Sequence, residues 1–423
     1  PVKSRADYIS RRFTKSKKIR EQVINMSIDK FIPYAVQYID EDDVRCVTDA
    51  LRSAYLTTGP AVDGFEKKIC AVTGAGYAVA VANGTAALHI ASLALLEPGD
   101  EVLTTPNSFV ATSNSVIYSG ARPVFTDILE NGNIDLARCE KILEADSEKR
   151  LKAVYAVHFS GNPVDQDKLR NLREKFGVKV LEDCAHSLGA VFGGGTAGAV
   201  KAGSCKNSDC SILSFHPVKH ITTGEGGAIT TNSPEIYNKL LMLRAHGINR
   251  TSFINKDMAF DEKGNPNPWY YEMQALGFNY RITDFQCALG ISQLAKLDKF
   301  VAARRRTAQK YDEYFKGAEN IAPLYLYNGA SSYHLYVVKI DFEKIRLTRA
   351  EFMKKLKEKN IGAQVHYIPI DRQPFYRSLG YGGGQNIRMD EYYSKCLSIP
   401  MYYSLSEEEA AYVAENLLKL TKV

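Results

Sequence analysis

The chain has 423 residues, 45% of them apolar, and a net charge of +6; that length buries a sizeable core and sets a prior of roughly two or three domains. Its most apolar stretch, Tyr77 to Leu96, is interrupted by Asn83, Gly84, Thr85, His89 and Ser92, so it reads as a strand and a buried helix and not as a membrane span, and no secretory signal is evident. The positive charge suggests nucleic acid only until it is located: residues 1–25 hold eight Lys or Arg against Asp7 and Glu21, which is the whole excess, so this segment reads as a basic appendage on a balanced, cytoplasmic protein with no nucleic-acid partner.

Eight spread cysteines without a Cys-x-x-Cys pair favour reduced thiols, and Cys205 with Cys210 make a poor metal site because no further Cys or His accompanies them. No metal is expected. In chain order the β-rich runs are Tyr77–Asn83, Glu101–Pro106, Pro123–Ile128, Ala153–Phe159, Lys179–Cys184, Cys210–Phe215 and Gly226–Thr231. Helical patterns lie between them at Thr85–Leu96, Ala111–Tyr118 and Asp165–Phe176, which predicts a seven-stranded, mostly parallel, doubly wound α/β sheet with ligands at the carboxyl ends of its strands. A helical stretch, Asp284 to Phe315, opens a smaller C-terminal α+β domain with strands at Tyr333–Ile340 and Gly362–His366 and helices at Thr348–Lys359 and Ser406–Leu420. The expected division is an extension at 1–25, a large domain at 26–285 and a small domain at 286–423. Two inserts, Gly193–Ser208 and Thr251–Tyr271, read as mobile or substrate-facing loops.

Lys219 follows the strand-like run Cys210–Phe215 and precedes Gly224-Glu225-Gly226-Gly227. A lysine at a strand end becomes a nucleophile toward carbonyl carbon when partial desolvation and nearby cations lower its pKa, so Lys219 is a candidate Schiff-base residue. Taken alone it is as easily a solvated lysine, and the partners decide. Gly84 and Thr85 open a helix directly after a strand, a placement suited to phosphate. Asp183 ends another strand, where a buried carboxylate can hold a protonated ring nitrogen, with His186 nearby. Phe109 follows a third strand and can stack on an aromatic ring, and Ser214 offers a hydroxyl. Each has a bland reading as cap or core, but four strand ends together are hard to explain as packing.

These segments, with Leu56-Thr57-Thr58-Gly59, Glu182-Asp183-Cys184-Ala185-His186, Gly277-Phe278-Asn279-Tyr280-Arg281 and Gln364-Val365-His366-Tyr367, resemble the fold-type I pyridoxal-phosphate aminotransferases of the DegT group, which aminate nucleotide-linked 4-keto sugars. The resemblance runs from about residue 30 to the C-terminus. It implies pyridoxal 5′-phosphate as cofactor, Lys219 as its Schiff-base residue, Asp183 on the ring nitrogen, Phe109 over the ring, His186 near the ring hydroxyl, and Gly84, Thr85 and Ser214 on phosphate. It further implies a homodimer in which Asn279 reaches the neighbouring subunit's phosphate. Tyr55, Thr57, Thr58 and Gly59 would lie near the sugar, and Arg281, His334, His366 and Tyr367 near the nucleotide or its phosphates. The lysine segment is most similar to enzymes that use L-glutamate to make UDP-4-amino-4,6-dideoxy-N-acetyl-β-L-altrosamine, a step toward pseudaminic acid. His220 departs from them, many having Pro there, and two rival readings stay open. One is a pyridoxamine-dependent sugar 3-dehydratase, a class that replaces the lysine itself by His; the other is a non-catalytic regulatory relative.

Overall fold

A computed structural model describes residues 28–193, 198–383 and 386–422. The basic segment 1–25 lies outside the described residues, as do positions 194–197 of the glycine-rich insert. All seven predicted strands form: β1 (Tyr77–Val81), β2 (Glu101–Thr104), β3 (Arg122–Phe125), β4 (Leu151–Val157), β5 (Lys179–Asp183), β6 (Cys210–Ser214) and β7 (Gly227–Thr231). They make one sheet in the order β1-β7-β6-β5-β4-β2-β3. Every pairing from β3 to β6 is parallel, whereas β7 runs antiparallel to both β6 and β1. The physical reason is the connection. Parallel neighbours need a crossover, usually a helix, and residues 215–226 return without one, closed by Phe215 N–H on Gly226 C=O at 2.9 Å.

Both faces of the sheet are covered, and the period-two alternation of strands divides the side chains between them. Val79, Val81, Val102, Tyr155, Leu181 and Ile212 face one buried cluster with the helices α3 (Gly84–Leu95) and α4 (Val110–Tyr118), which follow α1 (Glu41–Arg52) and α2 (Pro60–Thr73). On the opposite face Leu103, Val154, Ala156 and Val180 pack with α5 (Leu136–Ala145) and α6 (Gln166–Phe176). Near β1 that same face buries Ala78, Ala80 and Leu213 against Phe65 and Ile69 of α2. Beyond β7 the chain continues through α7 (Pro234–Arg244). Among the described residues no helix is long and apolar enough to cross a membrane.

The single helical stretch expected from Asp284 to Phe315 is instead two helices, α8 (Asp284–Leu294) and α9 (Leu297–Phe315). At the junction Lys296 places its ammonium 3.0 Å from the fully buried carboxylate of Asp43 and against Asp40, and the neighbouring Gln293 donates to Asp43 at 2.7 Å. Helix α9 then spans two cores. Leu297, Phe300 and Val301 belong to the cluster beneath β1, and Ala308, Tyr311 and Phe315 to the C-terminal cluster.

The C-terminal sheet has three antiparallel strands, β8 (Ile321–Pro323), β9 (Tyr336–Ile340) and β10 (Cys396–Ile399). Gly362–His366, expected as a strand, meets its neighbours at single points, Gly362 N–H on the Ile32 carbonyl oxygen at 2.8 Å and the bridge of Gln364 to Ser398. The chain here passes from one neighbour to the next. A Cβ on Gly362 would stand 3.1 Å from the Ile32 carbonyl oxygen, so glycine permits the crossing. Helices α10 (Arg349–Glu358) and α11 (Glu407–Thr421) form where expected, each opened by a capping box, Thr348 with Glu351 and Ser406 with Glu409. Residues 202–208 of the first insert are not a loose loop: Ala202, Cys205, Asn207 and Ser208 are buried, because Asn207 bonds Gln166 and Ser208 donates to Glu182 at 2.6 Å.

Gly227 is the point where β7 meets the β1–α3 turn. A Cβ there would lie 2.6 Å from the Asn83 carbonyl carbon and 2.7 Å from Gly84 N, and backbone cannot yield as a side chain does. Gly227→Ala is therefore expected to cost about 1–3 kcal/mol through overpacking, read as a lowered melting temperature with the far-UV dichroism retained.

Candidate active site

Strands β1, β2, β5 and β6 all deliver their carboxyl ends to one cleft of about 890 Å³. Its floor begins at the β1–α3 turn. Asn83 is extended, and its side-chain oxygen caps α3 by accepting the Ala86 N–H at 2.8 Å. The N–H groups of Gly84 and Thr85, both in the cleft lining, take no partner among the described residues. Ser214, at the end of β6, also lines the cleft, and a Cβ on Gly84 would stand 3.3 Å from its Oγ. Two free helix N–H groups, an N-terminal helix dipole and hydroxyls on either side form an anion cradle.

From β2 comes Phe109, the N-cap residue of α4, which lines the cleft while remaining 57% exposed. A ring so exposed is not core packing. From β5 comes Asp183, 5% exposed, whose two carboxylate oxygens accept from Thr112 Oγ1 at 2.7 Å and from Ala185 N–H at 3.1 Å. Asp183 has no ion-pair partner among the described residues. A buried carboxylate without a cation is costly, so the site is built to receive one.

The return loop from β6 to β7 supplies Lys219. Burial lowers its pKa, the charge of Asp183 partly opposes this, and buried Arg304 adds to it, leaving the ammonium at about 8. Its Nζ lies 3.4 Å from His334 Nε2. His186 and His334 pack ring against ring at 4.4 Å, and Tyr367 Oη is 3.0 Å from His186 Nε2. Burial, reinforced by Lys219, keeps both imidazoles well below their ordinary pKa and therefore neutral. His366 is likewise held down to about 3 by burial and then by Lys219, with its Nδ1 on Ser398 Oγ at 2.8 Å. His334, expected at the nucleotide, is thus a 2% exposed neighbour of the lysine.

Gly84, Thr85, Phe109, Asp183, His186, Ser214, Lys219, His334, His366 and Tyr367 all line this cleft. Five others do not. Tyr55, Thr57 and Gly59 lie in the loop before α2, fastened elsewhere: Thr57 bridges Thr283, and Gly59 N–H donates to Asp284 at 2.9 Å. Asn279 bridges Ala245 and Arg281 bridges Val81, while Tyr280 between them lines the cleft and sits 3.0 Å from His89 Nδ1. In an extended segment adjacent side chains alternate, so Tyr280 lines this cleft while Asn279, expected at the neighbouring subunit's phosphate, and Arg281 do not. Tyr34 also lines the cleft, from a segment that carries no motif, and Thr112 was passed over one helical turn beyond Phe109. No described residue of either insert belongs to the lining.

His220 faces away from this cleft, 4% exposed, with Nε2 3.1 Å from the Ser332 carbonyl oxygen. Its position next to the lysine is therefore structural and gives no support to dehydration. His158, Glu182 and Cys184 form a buried group whose ligand-type atoms all lie within 4.8 Å of one another. Glu182 is already satisfied by His158 at 2.9 Å, Gln166 at 2.6 Å and Ser208 at 2.6 Å, so this group reads as a hydrogen-bonded support beneath Asp183 instead of a metal centre.

Residues 37–418 match the DegT/DnrJ/EryC1/StrS aminotransferase family. The chain is 36% identical over 397 residues to the spore coat polysaccharide biosynthesis protein SpsC of Bacillus subtilis, covering 93% of this chain and 97% of that one. It is 35% identical over 390 residues to the UDP-4-amino-4,6-dideoxy-N-acetyl-beta-L-altrosamine transaminase of Campylobacter jejuni, covering 92% and 97%. Among solved structures it matches Helicobacter pylori PseC, an aminotransferase involved in the biosynthesis of pseudoaminic acid, with TM-score 0.83, 30% identity and coverage of 93% and 99%. With the lysine, the unpaired aspartate and the anion cradle in one cleft, the chain belongs to the DegT/DnrJ/EryC1/StrS aminotransferase family.

Proposed function

We propose that this protein transfers the amino group of L-glutamate to C4 of a UDP-linked 4-keto-6-deoxy-N-acetylhexosamine, giving a UDP-4-amino sugar and 2-oxoglutarate, with pyridoxal 5′-phosphate as cofactor. The observation that carries this reading is the cation-free carboxylate of Asp183 sharing a cleft with a lysine whose pKa is lowered to about 8. When bound, the cofactor supplies a carbonyl carbon that exchanges amino groups and a protonated ring that accepts the electrons released as an α-proton leaves.

The residues fit that group. Gly84 and Thr85 N–H with Ser214 Oγ would hold its phosphate, Phe109 would cover one face of its ring, Asp183 would hold the ring nitrogen, and His186 would lie near the ring hydroxyl. Lys219 serves first as nucleophile and then, once released, as the base that takes the donor's α-proton and returns it one carbon away. Neutral His334 beside its Nζ can accept a hydrogen bond from the ammonium without repelling it. Tyr34, Tyr280, His366 and Tyr367 would line the path of the sugar.

Asn279 is exposed and turned from its own cleft, which supports a homodimer in which it serves the neighbour's phosphate, with Tyr55, Thr57, Gly59 and Arg281 on the same shared border. We place the enzyme in the cytoplasm, in keeping with eight unpaired cysteines, divide its chain at about residue 285, and assign its product to the route toward pseudaminic acid.

Lys219→Ala is expected to abolish transamination, measured as 2-oxoglutarate release; a variant that still turns over would remove the lysine from the mechanism. Because only the free amine attacks, capture of pyridoxal phosphate by the apoprotein should accelerate with rising pH and reach half its plateau near pH 8, followed by absorbance. Incubation with L-glutamate and a panel of UDP- and dTDP-linked 4-keto sugars should give, by mass spectrometry, a UDP product that has gained nitrogen; loss of water instead would establish the dehydratase.

A further inference from the structure

We infer that Thr112, with Ser108 behind it, is a positioning residue that fixes the Asp183 carboxylate and ties it to the loop that carries Phe109; this rests on the proposed role of Asp183 at the ring nitrogen. Thr112 Oγ1 is 2.7 Å from Asp183 Oδ2 and 2.8 Å from Ser108 Oγ, and the three residues are 1%, 5% and 3% exposed. An ionised carboxylate only accepts hydrogen bonds. The single Thr112 proton therefore goes to Asp183, and Ser108 must donate to Thr112. The relay has one direction, from loop to helix to strand end.

Its effect is geometric and electrostatic. Ala185 N–H holds the other carboxylate oxygen at 3.1 Å, so the two donors together fix the plane of the group. Ser108 is the immediate neighbour of Phe109, and Ser108 and Phe109 both line the cleft. One hydroxyl thus sets the register between the ring that stacks on the cofactor and the carboxylate that meets the cofactor's nitrogen. A carboxylate held in that plane meets the ring N–H in line, which keeps the proton on the ring nitrogen.

The test compares Thr112→Val, which keeps the shape and loses the donor, with Thr112→Ser, which keeps the donor. Both are assayed as holoenzymes reconstituted with ring-labelled pyridoxal phosphate, reading the nitrogen-15 NMR shift of the pyridine nitrogen, kcat, KM for the sugar and the melting temperature. For Thr112→Val the ring nitrogen should shift toward its unprotonated value and kcat should fall roughly ten- to a hundredfold, with KM nearly unchanged; Thr112→Ser should restore both. If Thr112→Val does not fold, Ser108→Ala should move the same two readouts in the same direction by less. A wild-type nitrogen shift and kcat in the valine variant, or a serine variant impaired as badly as valine, overturns the inference. Failure of the unaltered protein to take up the cofactor would instead overturn the proposed function.

Discussion

The helix-free return from β6 to β7 is the constraint on which the site depends. It inserts an antiparallel strand between β6 and β1 in an otherwise parallel sheet and sets Gly227 against the Asn83–Gly84 turn. A crossover helix at this place would carry the chain across one face of the sheet. The tight return instead leaves Lys219 at the strand end, within reach of what β5 and β2 bring. Anion cradle and nucleophile are thereby positioned by the same short loop, and the absence of a side chain at 227 is what lets the two approach.

Charge is distributed sparingly around that loop. Arg304, 2% exposed on α9, donates to the carbonyl oxygens of Tyr333, His334 and Met401 and meets no carboxylate among the described residues. His186, His220, His334 and His366 are all driven toward the neutral form, in each case first by burial. Polar side chains crowd the lysine without neutralising it. Desolvation outweighs the attraction of Asp183 there, and that buried carboxylate takes no ion-pair partner among the described residues.

Much of this was legible in the sequence because strands buried on both faces are continuous apolar runs, and residues that follow them are forced to one edge of the sheet. Lys219, Asp183, Phe109 and Gly84 could be read that way. What escaped were features decided by distant partners. Lys296, at the junction of α8 and α9, pairs with Asp43, more than two hundred residues earlier, and β10 is a four-residue run whose pairing with β9 no local pattern announces. Within a recognised motif the side of the chain also stayed hidden: alternation sends Tyr280, flanked by Asn279 and Arg281, to the cleft. His334 likewise carries the chemistry of a phosphate ligand, and only the fold shows it against the lysine.

The pairing of Ile32 with Ile361 has a bearing on how the molecule is made. Ile32 is fully buried in the C-terminal cluster, and Asn360 Nδ2 donates to the Ile28 carbonyl oxygen across a separation of 332 residues. Tyr34, which lines the cleft, receives the Met401 N–H on its carbonyl oxygen. On the ribosome the segment that closes the cleft has nothing to pair with until residues 360 and 401, more than three hundred positions later, have been synthesised. The large sheet, by contrast, draws all its strands from residues 77–231 and does not need that late sequence. Closure of the cleft mouth therefore waits for residues 360–401, long after the lysine, aspartate and cradle have been made.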